Sequence, residues 1–520
     1  MAWRRARAGL ACALAAVLAL PASAQVGGPI VGGPQKGGAI TYAAAGGVGS
    51  LDPHVSGTLA ELEVIHHIFE PLVTIDETYN ARPMLAASIQ VGDEARRFRF
   101  RLRPNLRFHN GDRLTSADVL ASFQRYARVS TNAVLLEDVA GYDVPDADTF
   151  VVRLKSSNAV FLEMLKSPTY PLAILPAGQK DVDGTEAEPI GTGPFVLDSW
   201  EKDSHLVLRR NEAYIADRSA AGPDGLGGRK TAYLDAVRYD FIVDPMARVT
   251  ALQAGDADAV TNLPPDAIRR LGERTDIAVM RVFPFCQLMF VTHAGHGPTA
   301  KPLVRQAIRA AVAVDDIIAA TGQAMRRNPS LTYPGSPYHT EEAAAAFYDR
   351  RNLEEARTLL AQSGYKGEKL VLQTNATFSY MRDAILVLAG QLREAGFNTE
   401  VQVVDWLTQS ANLRRGTGHW NVTATGFCTQ PLLGPQQWRT QIQATPHLRD
   451  RAGLDEAWRQ FSASPGFAQR QAAWRQIETQ LLDQAHFIKV ADLAAVRAHH
   501  VRLQGMAPYF YQRFWNTWVQ

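Results

Sequence analysis

The 520-residue chain has very little cysteine, and it has no strong excess of charge of either sign. Only three cysteines occur, which excludes a fold held together by a framework of disulfides. The 54 basic and 52 acidic side chains leave a net charge of +2. A balance so close to zero gives no general attraction to nucleic acid or to an anionic membrane surface. We therefore predict neither as a partner.

The common motifs of catalysis, nucleotide binding and metal binding are also missing. No Gly-Lys dipeptide occurs, which excludes a P-loop, and no G-x-S-x-G occurs, which excludes the nucleophile elbow of α/β hydrolases. Neither C-x-x-C nor H-E-x-x-H, the commonest zinc-binding spacings, is present. This pattern favours binding over catalysis, so we predict no catalytic residue, no metal site and no cofactor. A secreted hydrolase with catalytic residues dispersed along the chain stays an alternative.

The first 24 residues have the pattern of a secretory signal peptide. Three arginines precede an apolar run at 10–20 and small residues at 22–24, and the run is too short to span a bilayer. We predict cleavage near Ala24 and Gln25, export to the periplasm, and a Gly/Pro-rich spacer at 25–37. Removing the three leader arginines from the 54 basic side chains leaves 51 against 52 acidic ones, a net charge of −1.

Two cysteines remain after the leader, which contains Cys12. Cys286 and Cys428 would share an oxidising compartment, which permits a disulfide between them. Two free, buried thiols are an equal alternative, because the sequence does not give the distance between the two side chains. Either state is compatible with a fold that depends on its hydrophobic cores, since 46% of the residues are hydrophobic.

Local residue patterns predict a mixed α/β structure. Apolar residues and arginines alternate strictly over 96–103, which predicts a half-buried strand. Thr115 and Asp118 have the spacing of a capping box, which predicts that a helix begins after Thr115. The clearest α/β unit has strands at 370–373 and 401–404 around an amphipathic helix. This order of elements predicts a parallel pairing of the two strands.

Several motifs resemble those of one known family of binding proteins. They occur in the expected order, and they are LDP at 51–53, IFEPL at 68–72, LRPNLRFHNGDRLTSADV at 102–119, GTGPF at 191–195, RRN at 209–211 and ALQAG at 251–255. The chain resembles the extracytoplasmic solute-binding proteins of ABC importers, family 5, which includes dipeptide-, oligopeptide- and nickel-binding proteins. The resemblance extends from about residue 38 to residue 516, and the motif at 102–119 is its most specific part.

This resemblance implies an α/β fold of the two-lobe periplasmic-binding-protein type (type II, the large cluster with an extra inserted subdomain). Two hinge strands would join the lobes, near 284–289 and 486–490. The implied division is lobe I at 38–80, 186–284 and 489–520, an inserted subdomain of lobe I at 81–185, and lobe II at 285–488.

The resemblance also implies a function in transport. The protein would be the periplasmic substrate-binding component of an ABC importer, enclosing a small solute between closing lobes. It would deliver this solute to an ABC permease in the inner membrane, behind which ATPase subunits supply the energy. The family implies a monomer and no cofactor. A chemosensory binding protein with the same closing lobes is a further alternative.

One departure from the family pattern concerns the ligand. In peptide-binding relatives, an Asp after the third strand of this lobe receives the ammonium group of the peptide. Here no acidic residue occurs from 426 to 441. An enclosed ammonium without a counter-charge is costly, so we expect a less cationic ligand such as a sugar derivative, an aromatic compound or an organic acid.

Nine residues near the implied cleft are predicted to contact the ligand, and for each of them packing within a lobe is the alternative. They are Phe285 and Gln287 at the first hinge, Trp406, then Phe427, Cys428, Thr429 and Gln430 after the third strand, and Tyr509 and Trp515 near the C-terminus. Aromatic rings among them are suited to stacking on a planar or sugar ligand. A disulfide between Cys286 and Cys428 would lie beside the cleft and brace the second lobe.

Overall fold

The structure is a computed structural model that describes residues 33–130, 132–179, 181–182, 186–428, 434–443, 451–464 and 466–520. The predicted signal peptide, most of the spacer, Thr429 and Gln430 lie outside these residues.

The described chain contains both strands and helices, and the two alternate most regularly from β18 to β20. The strands are β1 Ala39–Ala44, β2 Val73–Ile75, β3 Ala81–Pro83, β4 Ala86–Gly92, β5 Arg97–Leu102, β6 Val139–Asp146, β7 Thr149–Leu154, β8 Asp181–Val182, β9 Glu186–Ala187, β10 Phe195–Glu201, β11 His205–Arg210, β12 Pro223–Asp224, β13 Gly227–Gly228, β14 Ala236–Phe241, β15 Ala259–Val260, β16 Ile277–Thr292, β17 Met325–Arg326, β18 Lys369–Asn375, β19 Asn398–Val404, β20 Val422–Phe427, β21 Phe487–His500, β22 Leu503–Gln504 and β23 Trp518–Val519. The α-helices are α1 Leu59–Ile68, α2 Ser116–Val129, α3 Phe161–Leu165, α4 Pro245–Ala254, α5 Pro265–Gly272, α6 Pro302–Ala311, α7 Val314–Thr321, α8 Glu341–Ala345, α9 Leu353–Gln362, α10 Ser379–Glu394, α11 Trp406–Arg415, α12 Pro435–Gln443, α13 Arg451–Ala463 and α14 Phe467–Asp483. Short 3-10 helices lie at Asp93–Ala95, Ala133–Leu136 and Pro298–Ala300.

One large sheet runs through both lobes. In the described part of the chain it has eleven strands in the order β10-β11-β14-β1-β15-β21-β16-β20-β18-β19, with β17 paired to β21. The two longest strands, β16 and β21, lie antiparallel at its centre and pair from Ile277↔His500 to Val291↔Phe487. Strands β1 and β15 continue the sheet into lobe I, and β20, β18 and β19 continue it into lobe II. The two-lobe α/β fold with two connecting strands is as predicted.

Each lobe has its own hydrophobic interior. The core of lobe I surrounds β1, β10, β11 and β14, where Tyr42 and Tyr239 are fully buried. A separate four-stranded sheet, β4-β5-β7-β6, packs against α2 around Phe100 and Phe123. Lobe II has two cores because both faces of β16 and β20 are covered. One core contains Leu288 and the helices α6 and α10, and the other contains the helices α12 to α14.

Three elements that local sequence patterns predicted are present in the structure. In β5 the arginines at 97, 99 and 101 are exposed and the apolar residues between them are buried. At the start of α2, the backbone N–H of Thr115 donates to Asp118 Oδ2 at 2.7 Å, as a capping box requires. Strands β18 and β19 pair in parallel over their whole length.

The two lobes touch each other, so the structure has a closed arrangement. Tyr333 of lobe II is 1% exposed and packs within the core of lobe I. In the opposite direction, Val160 from the start of α3 packs within the second core of lobe II. The rings of Phe285 and Phe510 lie 5.5 Å apart at the junction.

A buried ion pair explains the LDP motif at 51–53. Asp52 is fully buried, and Arg125 of α2 donates to both of its carboxylate oxygens, at 3.0 and 2.5 Å. The backbone N–H of Ala187 donates to Asp52 Oδ2 at 3.0 Å. The pair therefore ties lobe I to the helix of the inserted sheet.

Replacing Arg125 by Met should lower the free energy of unfolding by about 3–5 kcal/mol, because Asp52 would remain as an uncompensated buried charge. Urea denaturation measures the change. The matched control is Arg153→Met, which breaks the half-exposed pair with Asp143. It should cost less than about 1 kcal/mol. Equal effects of the two variants would contradict this account.

Candidate ligand-binding site between the lobes

Three aromatic side chains and a cysteine follow three neighbouring strands of lobe II at the point where each strand ends. Phe378 and Tyr380 come after β18, Trp406 comes after β19, and Cys428 comes after β20. The parallel pairing of β18 with β19 and β20 brings these carboxyl ends to one edge of the sheet. In open α/β sheets, ligands bind outside the carboxyl ends of the strands. We call these four residues the carboxyl-end cluster.

The side chains of the carboxyl-end cluster are packed against lobe II but remain partly exposed to solvent. All four side chains are half-buried and lie against the same core of lobe II. The ring of Phe378 lies 5.0 Å from that of Trp406 and 6.0 Å from that of Tyr380. Gly426 leaves room for Tyr380, because a Cβ at this position would lie 2.9 Å from the tyrosine hydroxyl. The cluster thus presents aromatic surface beside the last residues of β20.

A disulfide joins this edge to the first connecting strand. The sulfur atoms of Cys286 in β16 and Cys428 are bonded, at 2.03 Å. The two cysteines are the immediate neighbours of the cross-strand pair Gln287↔Phe427, and both lie on the same side of it. Phe285, the preceding residue of β16, packs against the cores of both lobes. The disulfide therefore lies where lobe II, the connecting strand and lobe I meet.

A row of side chains crosses the centre of the sheet beside this disulfide. Gln287 pairs with Phe427 on one side and with Asp492 on the other, and Asp492 pairs with Arg326. Directly paired residues point to the same face of a sheet, so these four side chains form one row. Gln287 is fully buried, and neither amide atom has a hydrogen-bond partner among the described residues.

Three charged side chains are in direct contact at the end of this row. Lys489 Nζ lies 2.5 Å from Asp492 Oδ1, and both side chains are buried. Arg326 Nη2 donates to Asp492 Oδ2 at 3.3 Å, and its guanidinium also lies over the ring of Phe283, 4.6 Å from the centroid. Burial lowers the pKa of Lys489, and the carboxylate of Asp492 acts against this shift. The side chain of Arg326 remains 38% exposed.

Tyrosines line the lobe I side of the junction. The rings of Tyr79 and Tyr509 are stacked at 5.2 Å, and the guanidinium of Arg513 lies 4.2 Å from the centroid of Tyr509. Tyr333 reaches this group from lobe II, and its hydroxyl has no hydrogen-bond partner within the part of the chain that the structure describes. Burial raises the pKa of Tyr333 and of Tyr509 well above the usual value, so both hydroxyls are neutral at physiological pH.

Comparison with known proteins identifies the family. The family model of the bacterial extracellular solute-binding proteins, family 5 Middle, matches residues 80–439. The chain belongs to this family. The probable peptide ABC transporter periplasmic-binding protein y4tO of Sinorhizobium fredii is 26% identical over 435 residues, which cover 79% of this chain and 78% of the relative.

Solved structures show the same fold. The substrate-binding protein CtaP of Listeria monocytogenes superposes with a TM-score of 0.80 at 18% identity, covering 93% of this chain and 100% of CtaP. AgaA of A. tumefaciens R10, solved in complex with agropinic acid, gives a TM-score of 0.72 at 21% identity, covering 93% of this chain and 99% of AgaA. A family 5 solute-binding protein is a binding protein, in agreement with the absence of catalytic motifs. Among the described residues, no helix combines the length and apolar composition that crossing a membrane requires.

The structure brings together three of the residues predicted for the site of this family 5 protein. Phe285, Cys428 and Trp406 lie around the disulfide and the carboxyl-end cluster, whereas Gln287 shares a face of the sheet with Phe427. Phe427 instead points into the second core of lobe II, where its ring contacts Trp438 and Phe487 at 5.2 and 5.9 Å. Consecutive residues of a strand face opposite sides, which explains why Phe427 and Cys428 have different surroundings.

The two aromatic residues predicted near the C-terminus lie in lobe I. The hydroxyl of Tyr509 donates to the carbonyl of Asp76 at 2.9 Å, and the ring belongs to the junction described above. Trp515 is buried against His67, and Lys230 lies 4.7 Å from the centroid of a Trp515 ring. Trp515 thus has a packing role here. Thr429 and Gln430 lie outside the described residues.

Sequence reasoning missed Phe378, Tyr380, Arg326, Tyr333 and Asp492. Asp492 and Lys489 carried a usable signal, because two charged residues interrupt an otherwise apolar strand from Phe487 to Val496. Such residues in a buried strand need partners and so mark a polar cluster. Tyr333 carried no comparable signal, since its importance depends on a contact with the other lobe.

A large surface cavity lies elsewhere on the family 5 fold. It has a volume of about 1050 Å³ and is lined by Arg82, Arg103, Tyr214 and Asp217, among others. None of the residues predicted for the ligand lines it, and it does not include either connecting strand.

The disulfide has a direct chemical test. Denatured, unreduced mature protein should contain no thiol that reacts with Ellman's reagent, and reduction should release two. Reduction should also lower the free energy of unfolding by about 2–5 kcal/mol, because the bond closes a long loop in the unfolded chain. Two reactive thiols before reduction would contradict the disulfide.

Proposed function

We propose that this protein is the periplasmic substrate-binding component of an ABC importer. It encloses a small solute between its two lobes and delivers the solute to a permease in the inner membrane, which ATPase subunits drive. It acts as an exported monomer without a cofactor, with the lobe boundaries and the signal peptide predicted from the sequence. Family membership and the two strands that connect the lobes support this function. A solute that contacts both lobes makes all of its contacts only in the closed state, so its binding favours closure.

The carboxyl-end cluster is the observation that carries the proposed site. Phe378, Tyr380 and Trp406 offer half-buried aromatic surface next to Phe285, which contacts both lobes. Stacking on such rings is favourable for a planar or sugar-like solute. In the central row, Gln287 has an amide whose donor and acceptor atoms have no hydrogen-bond partner among the described residues, and leaving such a buried group unpaired costs about 1–3 kcal/mol. We propose that rearrangement on binding gives this amide a partner in the solute.

The charges favour a solute that is less cationic than a free peptide. No acidic residue occurs from 426 to 441, where peptide-binding relatives would hold an ammonium group. Lys489 and Arg326 both form salt bridges with Asp492, so this group of three side chains has one more positive than negative charge. Among a sugar derivative, an aromatic compound and an organic acid, the half-exposed Arg326 favours the acid, because guanidinium groups bind carboxylates. The agropinic acid complex of AgaA is compatible with this class.

Trp406 and its neighbour provide a matched pair of variants. The solute that co-purifies with native protein is identified by mass spectrometry, extracted, and titrated calorimetrically into protein stripped by unfolding and refolding. Trp406→Ala should weaken binding roughly 10-fold or more, since aromatic anchors carry a large share of binding energy. Leu407→Ala is the control, because Leu407 is 77% exposed on the same helix, and it should leave affinity unchanged. Equal affinities of both variants and wild type would contradict the proposed site.

Arg326 tests the ligand class separately. Arg326→Met should weaken the binding of an anionic solute at least about 10-fold, because it removes a charge-assisted hydrogen bond. Arg281→Met, at an exposed position of β16, should have little effect. Nanomolar binding of unmodified di- or tripeptides would overturn the proposed class, and turnover of the bound compound would favour the hydrolase alternative.

A further inference from the structure

One segment of lobe II reaches across to lobe I. Residues 328–340, which we call the interlobe strap, connect β17 to α8 and carry Tyr333 into the core of lobe I. Near its start, Asn328 Nδ2 donates to Asp492 Oδ2 at 2.9 Å, which fixes the strap to the connecting strand β21. The strap thus links lobe closure to the polar row at the centre of the sheet.

A single buried carboxyl group holds the interlobe strap near both of its ends. Glu478 of α14 is fully buried. Its Oε1 accepts hydrogen bonds from Ser330 Oγ at 2.7 Å and from the backbone N–H of Leu331 at 2.6 Å. Its Oε2 is in contact with Thr340 Oγ1. The three strap residues that Glu478 binds lie on either side of Tyr333 in the sequence.

We propose that Glu478 is a positioning residue for lobe closure, acting through the interlobe strap on Tyr333, and that it holds the strap more firmly when its carboxyl group is protonated. This inference rests on the closing motion of the proposed function. It adds to that function a dependence of closure on the acidity outside the inner membrane.

The bonding geometry accommodates the protonated group. A protonated carboxyl keeps one oxygen as an acceptor and gains one O–H donor. Oε1 then still accepts from Ser330 and Leu331, while Oε2–H donates to the hydroxyl of Thr340, a group that can also accept. All three contacts with the strap persist. The ionised group, in contrast, is a charge that burial removes from water.

Several charged and titratable groups surround this carboxyl. Lys489 of β21 and Arg475 of the same helix act to stabilise its ionised form. Lys489 is itself paired with Asp492. In the strap, the imidazole of His339 hydrogen-bonds the carbonyl of Thr332 at 3.2 Å.

The sign of the pH dependence follows from burial. Desolvation outweighs the hydrogen bonds from Ser330 and Leu331 and the nearby cations Lys489 and Arg475, and it raises the pKa of Glu478 from 4.5 to about 7. When the strap detaches and water reaches the carboxyl, the ordinary pKa returns. The docked strap therefore binds a proton that the detached strap releases, so docking is strong in acid and weakens as the pH rises towards and through 7.

Hydrogen exchange of the full mature protein without solute or permease measures strap docking. The protection of peptides covering 328–340, corrected for intrinsic exchange rates, should fall roughly 30-fold between about pH 5.5 and pH 8, given the two pKa values above. Peptides from α9, which lies outside the strap, should show no such fall. Because no ligand is used, failure of this test leaves the transport function untouched, and a different ligand would not change its result.

Two variants separate Glu478 from its neighbours. Glu478→Gln retains an acceptor and a donor without a charge, so its strap should stay protected at every pH. Imidazoles titrate between about pH 5 and 8, so His339→Gln is the control, and it should keep the fall seen in the wild type. A wild-type profile without a fall, or the same fall in Glu478→Gln, overturns the proposal. The wild-type result stands even if a variant fails to fold.

Discussion

The antiparallel pairing of β16 with β21 is the constraint on which the rest of the structure depends. These two strands pair over most of their length and belong to both lobes, so they fix where the lobes meet. Every side chain on them has a set position relative to both lobes. Gln287, Asp492 and Cys286 are all placed in this way, and the residues of the carboxyl-end cluster follow strands that lie one to three strands further along the same sheet.

Buried charge is concentrated along the second of these strands. Arg497 of β21 binds Glu63 of α1 at 2.9 Å and the carbonyls of Tyr509 and Phe510, each at 2.7 Å. This cation orders the C-terminal segment, whose tyrosine and arginine side chains form the lobe I side of the junction. Nearer lobe II, Lys489 and Asp492 do the same for β17 and the interlobe strap. Buried pairs of this kind contribute little net stability, but removing one partner is costly, so they define one arrangement.

The sequence predicted those elements whose signals lie within a few residues. The alternation in β5, the capping box of α2 and the strand–helix–strand unit of lobe II are of this kind, and the family motifs supplied the two-lobe fold. The site was harder to predict because it is assembled from distant segments. Tyr333 acquires its role only by crossing to lobe I, and Gln287 lies beside Asp492 only through strand pairing. Phe427 and Cys428 were treated as one surface, whereas strand geometry directs them to opposite faces.

The central claim is that the lobes close around a small solute. Small-angle X-ray scattering of the stripped protein, with and without the solute that co-purifies with it, tests this claim most directly. The account predicts a smaller radius of gyration with the solute, because interlobe contacts such as that of Tyr333 form on closure. Saturating binding of the solute with an unchanged radius of gyration would contradict it.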